Sequence, residues 1–282
     1  MPSSRGSETL RYSASAARPA ALACLLAAAL AQAQTDELVA PYVPTVEEDV
    51  ELMLEVGGVG PDDYVIDLGS GDGRIVIAAA RRGALAHGVE LDPELVELAR
   101  ANARESGAAD RVAFVHGDIF DADIGRATVV TLYLFPEANL MLRPKLLAEL
   151  RAGTRVVSNS FHMGEWKPDV HDMSARSSGG ILLWIVPPRI EGEWLLEIDG
   201  GERLSLAVRQ QFQEIELEIA GSGSVVARDT ATLKANRLRF GAELNDARHV
   251  FDGQVEDDAM YGYVQIERQG GRTVVGWRAT RR

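Results

Sequence analysis

Two rhythms divide the chain. From about Thr45 to Val186, apolar β-branched runs alternate with stretches whose apolar positions recur every three or four residues; after Pro187 and Pro188, short segments alternate apolar and polar residues. The first rhythm belongs to βαβ units around a largely parallel sheet, the second to antiparallel strands joined by turns. The Pro-Pro pair marks the boundary, which gives an α/β part at 34–186 and a β-rich C-terminal part at 187–282.

The elements of the first part follow from the pattern. "PTVEEDVELMLEV" opens with Thr45 and, three positions on, Glu48, the spacing of a capping box, and its periodicity places Val46, Val50, Met53 and Leu54 on one helical face. "YVIDLG" reads as a buried strand, "RIVIAAARR" as a helix, "AHGVELD" as a second strand, and "PELVELARANARES" as a helix with Pro93 in its first turn. "RVAFVHGD" and "ATVVTLYLF" give a third and a fourth strand. "PEANLMLRPKLLAELRAG" is helical with its middle limited by Pro144, and "TRVVSNSF" is a fifth strand. This succession predicts a doubly wound sheet with its ligand crevice at the carboxyl ends of the strands. In the second part, "QEIELEIAG" sets Ile215, Leu217 and Ile219 against Glu214, Glu216 and Glu218, and "HVFDGQVEDDAMYGYVQIER" and "RTVVGWRATRR" continue as strands, so a small antiparallel barrel or sandwich is expected.

Ahead of both parts, Arg5, Arg11 and Arg18 precede the apolar run "AALACLLAAALA", and Ala31 and Ala33 follow it. That is the pattern of a secretory signal peptide over residues 1–33, cleaved before Gln34, and the run is too short for a comfortable membrane span. The expected location is therefore outside the cytoplasm, periplasmic in a bacterial cell; an uncleaved membrane anchor, or a cytoplasmic protein with a misplaced start, is the alternative. Cleavage would remove Cys24, the sole cysteine, and with it any disulfide, thiolate nucleophile or cysteine metal site.

Charge narrows the partners. A formal net charge of −13 works against a broad basic face of the kind that binds a phosphate backbone, so nucleic acid is not expected as the principal partner, whereas a basic substrate would be drawn to such a field. No spacing of His, Asp and Glu suggests a metal site.

The chemistry concentrates in "DLGSGDGR", which follows the first strand. Gly69, Gly71 and Gly73 stand at alternate positions, and Arg74 occupies the place of the third glycine of the dinucleotide pattern G-x-G-x-x-G. A loop of this kind admits close backbone approach and positive φ, and its helix-start amides suit a carboxylate, while Asp67 suits an ammonium group. An amino-acid zwitterion meets both demands. Glu90, ending the second strand, can accept from both hydroxyls of a ribose, and Asp118, after the third, from an exocyclic purine amine above an apolar floor at Ile119. Amino acid, ribose and adenine together describe S-adenosylmethionine. Each residue also has a plainer use: Asp67 as a cap on the loop, Asp72 as a helix-start charge, Glu90, Asp92 and Asp118 as turn or cap residues.

With these motifs the chain resembles the class I S-adenosylmethionine-dependent methyltransferases over about Pro41 to Trp166. More narrowly, "PYVPT", "DLGSGDGRIVIAAA", "GVELDPELVELAR" and "LYLFPEANLMLRPKLLAELRAGTRVVS" look like the seven-strand protein-lysine methyltransferases. These include the mitochondrial family that modifies the ATP synthase c subunit and, more distantly, the non-SET histone lysine methyltransferases. The resemblance implies a Rossmann-like methyltransferase sheet and S-adenosylmethionine as cofactor, held by Asp67, Gly69, Ser70, Gly71, Gly73, Glu90, Asp118 and Ile119. It also implies that "PYVPT", with Tyr42 and Thr45, closes over the cofactor's methionine end. The segment Thr131 to Phe135 would line the methyl-transfer site, with Tyr133 and Phe135 as the catalytic candidates. The exported start and the β-rich extension depart from the family.

On the acceptor side, Phe161 and Trp166 join Tyr133 and Phe135 as candidates for an aromatic wall suited to a sulfonium and a lysine side chain. His162 and His171 are candidate bases whose plainer reading is as surface histidines. The leading function is methyl transfer to a protein lysine amine; the alternatives are methylation of a small-molecule amine or hydroxyl, and a non-enzymatic S-adenosylmethionine-binding module. The β-rich part reads equally as a substrate or partner module and as a structural cap on the sheet.

Overall fold

The computed structural model describes residues 43–200, 202–221, 224–227 and 231–282. The proposed signal segment 1–33 and Tyr42 lie outside the described residues.

The first sheet has seven strands in the order β3-β2-β1-β4-β5-β7-β6. Its parallel members are β1 (Tyr64–Leu68), β2 (Leu85–Glu90), β3 (Val112–His116), β4 (Val129–Leu132) and β5 (Arg155–Asn159). β6 (Val170–Asp172) and β7 (Ile181–Ile185) complete it, β7 running antiparallel to both β5 and β6. The order reverses at β1 and β4, so the crevice expected of a doubly wound sheet opens where Asp67 and Tyr133 leave their strands. Neighbouring strand residues point to opposite faces and both faces are covered. Val65, Val129 and Val157 pack with α1 (Glu47–Val56), α2 (Arg74–Arg81) and α3 (Pro93–Glu105), whereas Ile66, Val130 and Val156 pack with α4 (Pro136–Glu149). Burial on both faces is why the strands read as unbroken apolar runs.

Two local expectations are corrected. Helix α1 begins at Glu47 with Val46 as its N-cap and no side-chain cap bond, so Thr45 and Glu48 do not form a capping box. The Thr45 carbonyl instead accepts from Arg74 Nη1 at 2.6 Å, a tie over a sequence distance that pattern does not reveal. Val50, Met53 and Leu54 are buried as expected, but Val46 is exposed because it precedes the helix. Pro144 does not interrupt α4, which runs through it as one helix; Leu140, whose carbonyl lacks its usual donor there, lies on the exposed side.

The second sheet has nine antiparallel strands, β8 (Gly192–Ile198) to β16 (Gly271–Arg281), in the order β11-β10-β9-β8-β16-β15-β14-β13-β12. β10 (Glu214–Gly221) and β11 (Ser224–Ala227) come back against β12 (Thr232–Lys234) and β13 (Arg237–Leu244), so the sheet curls around one apolar interior. Ile215, Leu217 and Ile219 face that interior, with Phe240 stacked on Phe251 at 4.4 Å and Trp277 edge-on to both.

Candidate active site

The site grows from the end of β1. Asp67 is buried, and its Oδ1 accepts from the hydroxyl of Thr131 on β4 at 2.6 Å. Burial pushes its carboxyl up to about 7, with the charges of Glu90 and Asp72 acting in the same direction and the Thr131 bond opposing them. A buried carboxylate with two acidic neighbours calls for a cation, and a ligand ammonium would meet that need.

The loop after it is built from left-handed glycines: Gly69 at φ 82°, Gly71 at 51° and Gly73 at 82°. The amides of Gly69 and Ser70 donate to the Val89 carbonyl, which binds the loop to β2. Gly73 has a further reason to lack a side chain: a Cβ there would lie 2.6 Å from Phe114 Cζ and 3.0 Å from Ala99 Cβ, so this glycine lets α2 settle on α3 and β3. The Ser70 side chain fills the space above Gly88 on β2, and its buried hydroxyl has no hydrogen-bond partner among the described residues.

Glu90 closes the loop from the other side. Its Oε2 accepts from Gly71 N and its Oε1 from Asp92 N, both at 2.9 Å, and each oxygen keeps a second lone pair for ligand hydroxyls. Asp92 is the N-cap of α3 and accepts from Glu94 N. Asp118 forms a turn by accepting from Phe120 N at 2.9 Å, which leaves one carboxylate oxygen outside that turn, and Ile119 beside it is buried. Asp72 is paired with Arg74 at 2.6 Å. These residues fit an amino-acid, ribose and purine ligand: a buried acid suited to an ammonium group, a glycine cradle, and a carboxylate anchored by backbone amides with lone pairs in reserve.

On the acceptor side three of the four expected aromatics meet. Tyr133 stacks on Phe161 with centroids 6.2 Å apart, and Phe135 meets Phe161 edge-on at 6.1 Å. Trp166 does not join them. It is fully buried between exposed neighbours and packs on Trp184 and Phe212, away from the aromatic cluster. The histidines are engaged locally, His162 Nδ1 with Gly164 N and His171 Nε2 with the Gly179 carbonyl.

Sequence reading missed the polar clamp behind Phe161. Asn139 Nδ2 and Ser158 Oγ both donate to the Phe161 carbonyl, at 3.2 and 2.8 Å. Ser160 sits at φ 67°, held by its amide bond to the Gly180 carbonyl and by the absence of a side chain on Gly179. A non-glycine residue in this conformation is strained and is kept by its surroundings. The "SNS" at the end of a β-rich run carried the only signal. Among the described residues no group of His, Cys, Asp and Glu could hold a metal ion.

Known proteins resemble this chain over its first sheet. The family model described as the ANTKMT methyltransferase domain matches residues 67–170. A protein-lysine N-methyltransferase of Saccharolobus islandicus is 48% identical over 130 residues, 45% of this chain and 81% of that protein. The lysine N-methyltransferase of Mus musculus that is named for the ATP synthase c subunit is 32% identical over 195 residues, 62% of this chain and 74% of that one. Among solved structures, an RNA methyltransferase from Salinibacter ruber in complex with S-adenosyl-L-homocysteine is 51% identical, with a TM-score of 0.50, and covers 52% of this chain and 96% of that one.

Proposed function

The chain belongs to the family of S-adenosylmethionine-dependent methyltransferases that includes these lysine-specific relatives, and from that membership we propose that its acceptor is a lysine side-chain amine of a protein. The observation that carries the reading is the junction of β1 and β4. One hydrogen bond, Thr131 to Asp67, ties the cofactor loop to the strand that delivers Tyr133 and the aromatic wall. The two relatives named for lysine methylation support the same acceptor.

When bound, S-adenosylmethionine supplies an electrophilic sulfonium methyl. In this proposal Asp67 receives the ligand's ammonium, the left-handed glycine loop leaves room for its methionine end, Glu90 receives the ribose hydroxyls, and Asp118 with Ile119 the adenine; the loop amides that the sequence suggested for the carboxylate donate instead to Val89, Ser70 and Glu90. The Arg74 bond to the Thr45 carbonyl holds the residues just before α1 against the start of α2, beside the glycine loop. Tyr133, Phe135 and Phe161 exclude water and align the amine, and their π faces favour the approaching cationic centres. The lysine ammonium gives up its Nζ proton to water before attack, which desolvation against this wall promotes by lowering its pKa. Alignment and desolvation suffice for an in-line displacement, so no dedicated base is assigned.

The test is transfer of labelled methyl groups into a fractionated extract. Label that enters protein and survives hydrolysis as methyl-lysine supports the proposal; label confined to RNA or to small molecules overturns the acceptor. The RNA outcome is named because of the Salinibacter ruber relative, and the net charge of −13 weighs against it. Loss of S-adenosylhomocysteine binding in both Asp67→Ala and Glu90→Ala is expected, and retained binding would sink the cofactor assignment. Export remains part of the same proposal: a recovered protein beginning at Gln34 supports it, and one beginning at Met1 does not.

A further inference from the structure

We infer that the turn between β9 (Glu202–Gln211) and β10 is a positioning element for the acceptor wall, acting through Phe212 on the segment that follows β5. This rests on the reading of Phe161 as part of the acceptor side.

The segment Phe161 to Lys167 is held at both ends. At its start the Phe161 carbonyl is clamped by Asn139 and Ser158. At its end the Trp166 carbonyl accepts from Trp184 Nε1 at 2.7 Å, while the Trp166 ring stacks on Phe212 at 6.0 Å with planes 16° apart. The Trp166 Nε1 donor is buried with no partner among the described residues, so packing rather than hydrogen bonding fixes this ring. Phe212 is also capped by the Arg143 guanidinium at 5.3 Å, and Arg143 Nη1 donates to the Met163 carbonyl in the middle of the segment. The next residue of the turn, Gln213, donates to the Lys167 carbonyl at 2.7 Å. The second sheet thus grips the segment at Trp166 and Lys167, five and six residues from Phe161 of the wall.

Phe212 stands at φ 56°, a conformation in which glycine or asparagine is at ease and phenylalanine is strained. A turn selected for its own stability would not place an aromatic ring there. The ring's contact with Trp166 accounts for its presence. The second sheet, whose role the sequence left open between recognition and capping, therefore acts on the acceptor site from behind without lining it.

Two full-length variants test this. Phe212→Gly removes the ring while relieving the turn, and Phe212→Tyr keeps the ring. S-adenosylhomocysteine affinity, hydrogen exchange over Phe161–Lys167, and labelled methyl transfer with extract protein titrated as the acceptor pool are compared with the unaltered protein. The expectation for Phe212→Gly is unchanged S-adenosylhomocysteine affinity, faster exchange over the segment, and a roughly tenfold higher half-saturating acceptor concentration, with Phe212→Tyr restoring both. Unchanged exchange and transfer in Phe212→Gly overturn the inference, as does a parallel loss of S-adenosylhomocysteine binding, which marks a general folding defect. Should the unaltered protein label no lysine, the acceptor reading fails by itself, and the exchange comparison alone then decides the role of Phe212.

Discussion

Asp67 joins the stability of the protein to its ligand chemistry. Its carboxyl is pushed up to about 7 in the folded chain, mainly by burial, from an ordinary value of 3.8. Between these values the folded state binds more protons than the unfolded state, so this group makes the ligand-free protein more stable as pH falls from about 7 toward 4, and less stable above 7. Ligand binding runs the other way. A ligand ammonium needs the carboxylate, so lowering the pH to 6 protonates most of Asp67 and should weaken S-adenosylhomocysteine binding about tenfold relative to pH 8, with proton release on binding. Calorimetry in buffers of different ionisation enthalpy reads both effects, and an affinity flat from pH 6 to pH 8 would contradict the assignment. Asp67→Asn keeps the Oδ1 acceptor for Thr131 but removes the charge. It should raise the unfolding temperature of the ligand-free protein at pH 8, by roughly 1–3 kcal/mol of stability, while losing ligand affinity.

At the scale of elements, Arg74 links pieces that the sequence presents separately. As the first residue of α2 it pairs with Asp72 and reaches the Thr45 carbonyl ahead of α1. Arg74→Lys keeps the charge but not the planar fork that serves both partners, so both Arg74→Ala and Arg74→Lys should release the Thr45 segment. Their expected effect is a roughly tenfold weaker S-adenosylhomocysteine affinity with a minor change in thermal unfolding. Ligand affinity equal to the unaltered protein in both would show that the tie is structural only. This link also marks the limit of what was legible. The βαβ succession, the glycine loop and the acidic strand ends were readable because periodicity, glycine spacing and chain order are local. The Thr45 carbonyl tie, the burial of Trp166 and the Phe161 clamp were not, because each depends on residues brought together from distant parts of the chain. Thr45 and Glu48 even carried a false local signal, since a capping box and a buried threonine whose carbonyl serves Arg74 look alike in one dimension.

At the scale of the molecule, the two sheets are joined by arginines that bind main-chain carbonyls. Arg189, in the connection after β7, donates to the carbonyls of Leu147 and Ala148 in the last turn of α4, where the helix dipole favours a cation. Arg281, near the end of β16, donates to the carbonyls of Arg189 and Glu191, pairs with Asp258, and lies over the Trp194 ring at 4.5 Å. The last strand thereby fixes the connection that fixes α4. Its pair with the exposed Asp258 contributes little by itself, so the carbonyl bonds and the ring contact dominate. Arg281→Ala should destabilise the second sheet by about 1–3 kcal/mol and uncouple it from the first. Scanning calorimetry then distinguishes two arrangements. If Arg281 transmits stability between the sheets, a single unfolding transition in the unaltered protein separates into two in the variant, and S-adenosylhomocysteine raises only the one belonging to the first sheet. A variant that still unfolds in one transition, uniformly raised by the ligand, would locate the coupling elsewhere, in the contacts of the β9–β10 turn with Trp166 and Lys167.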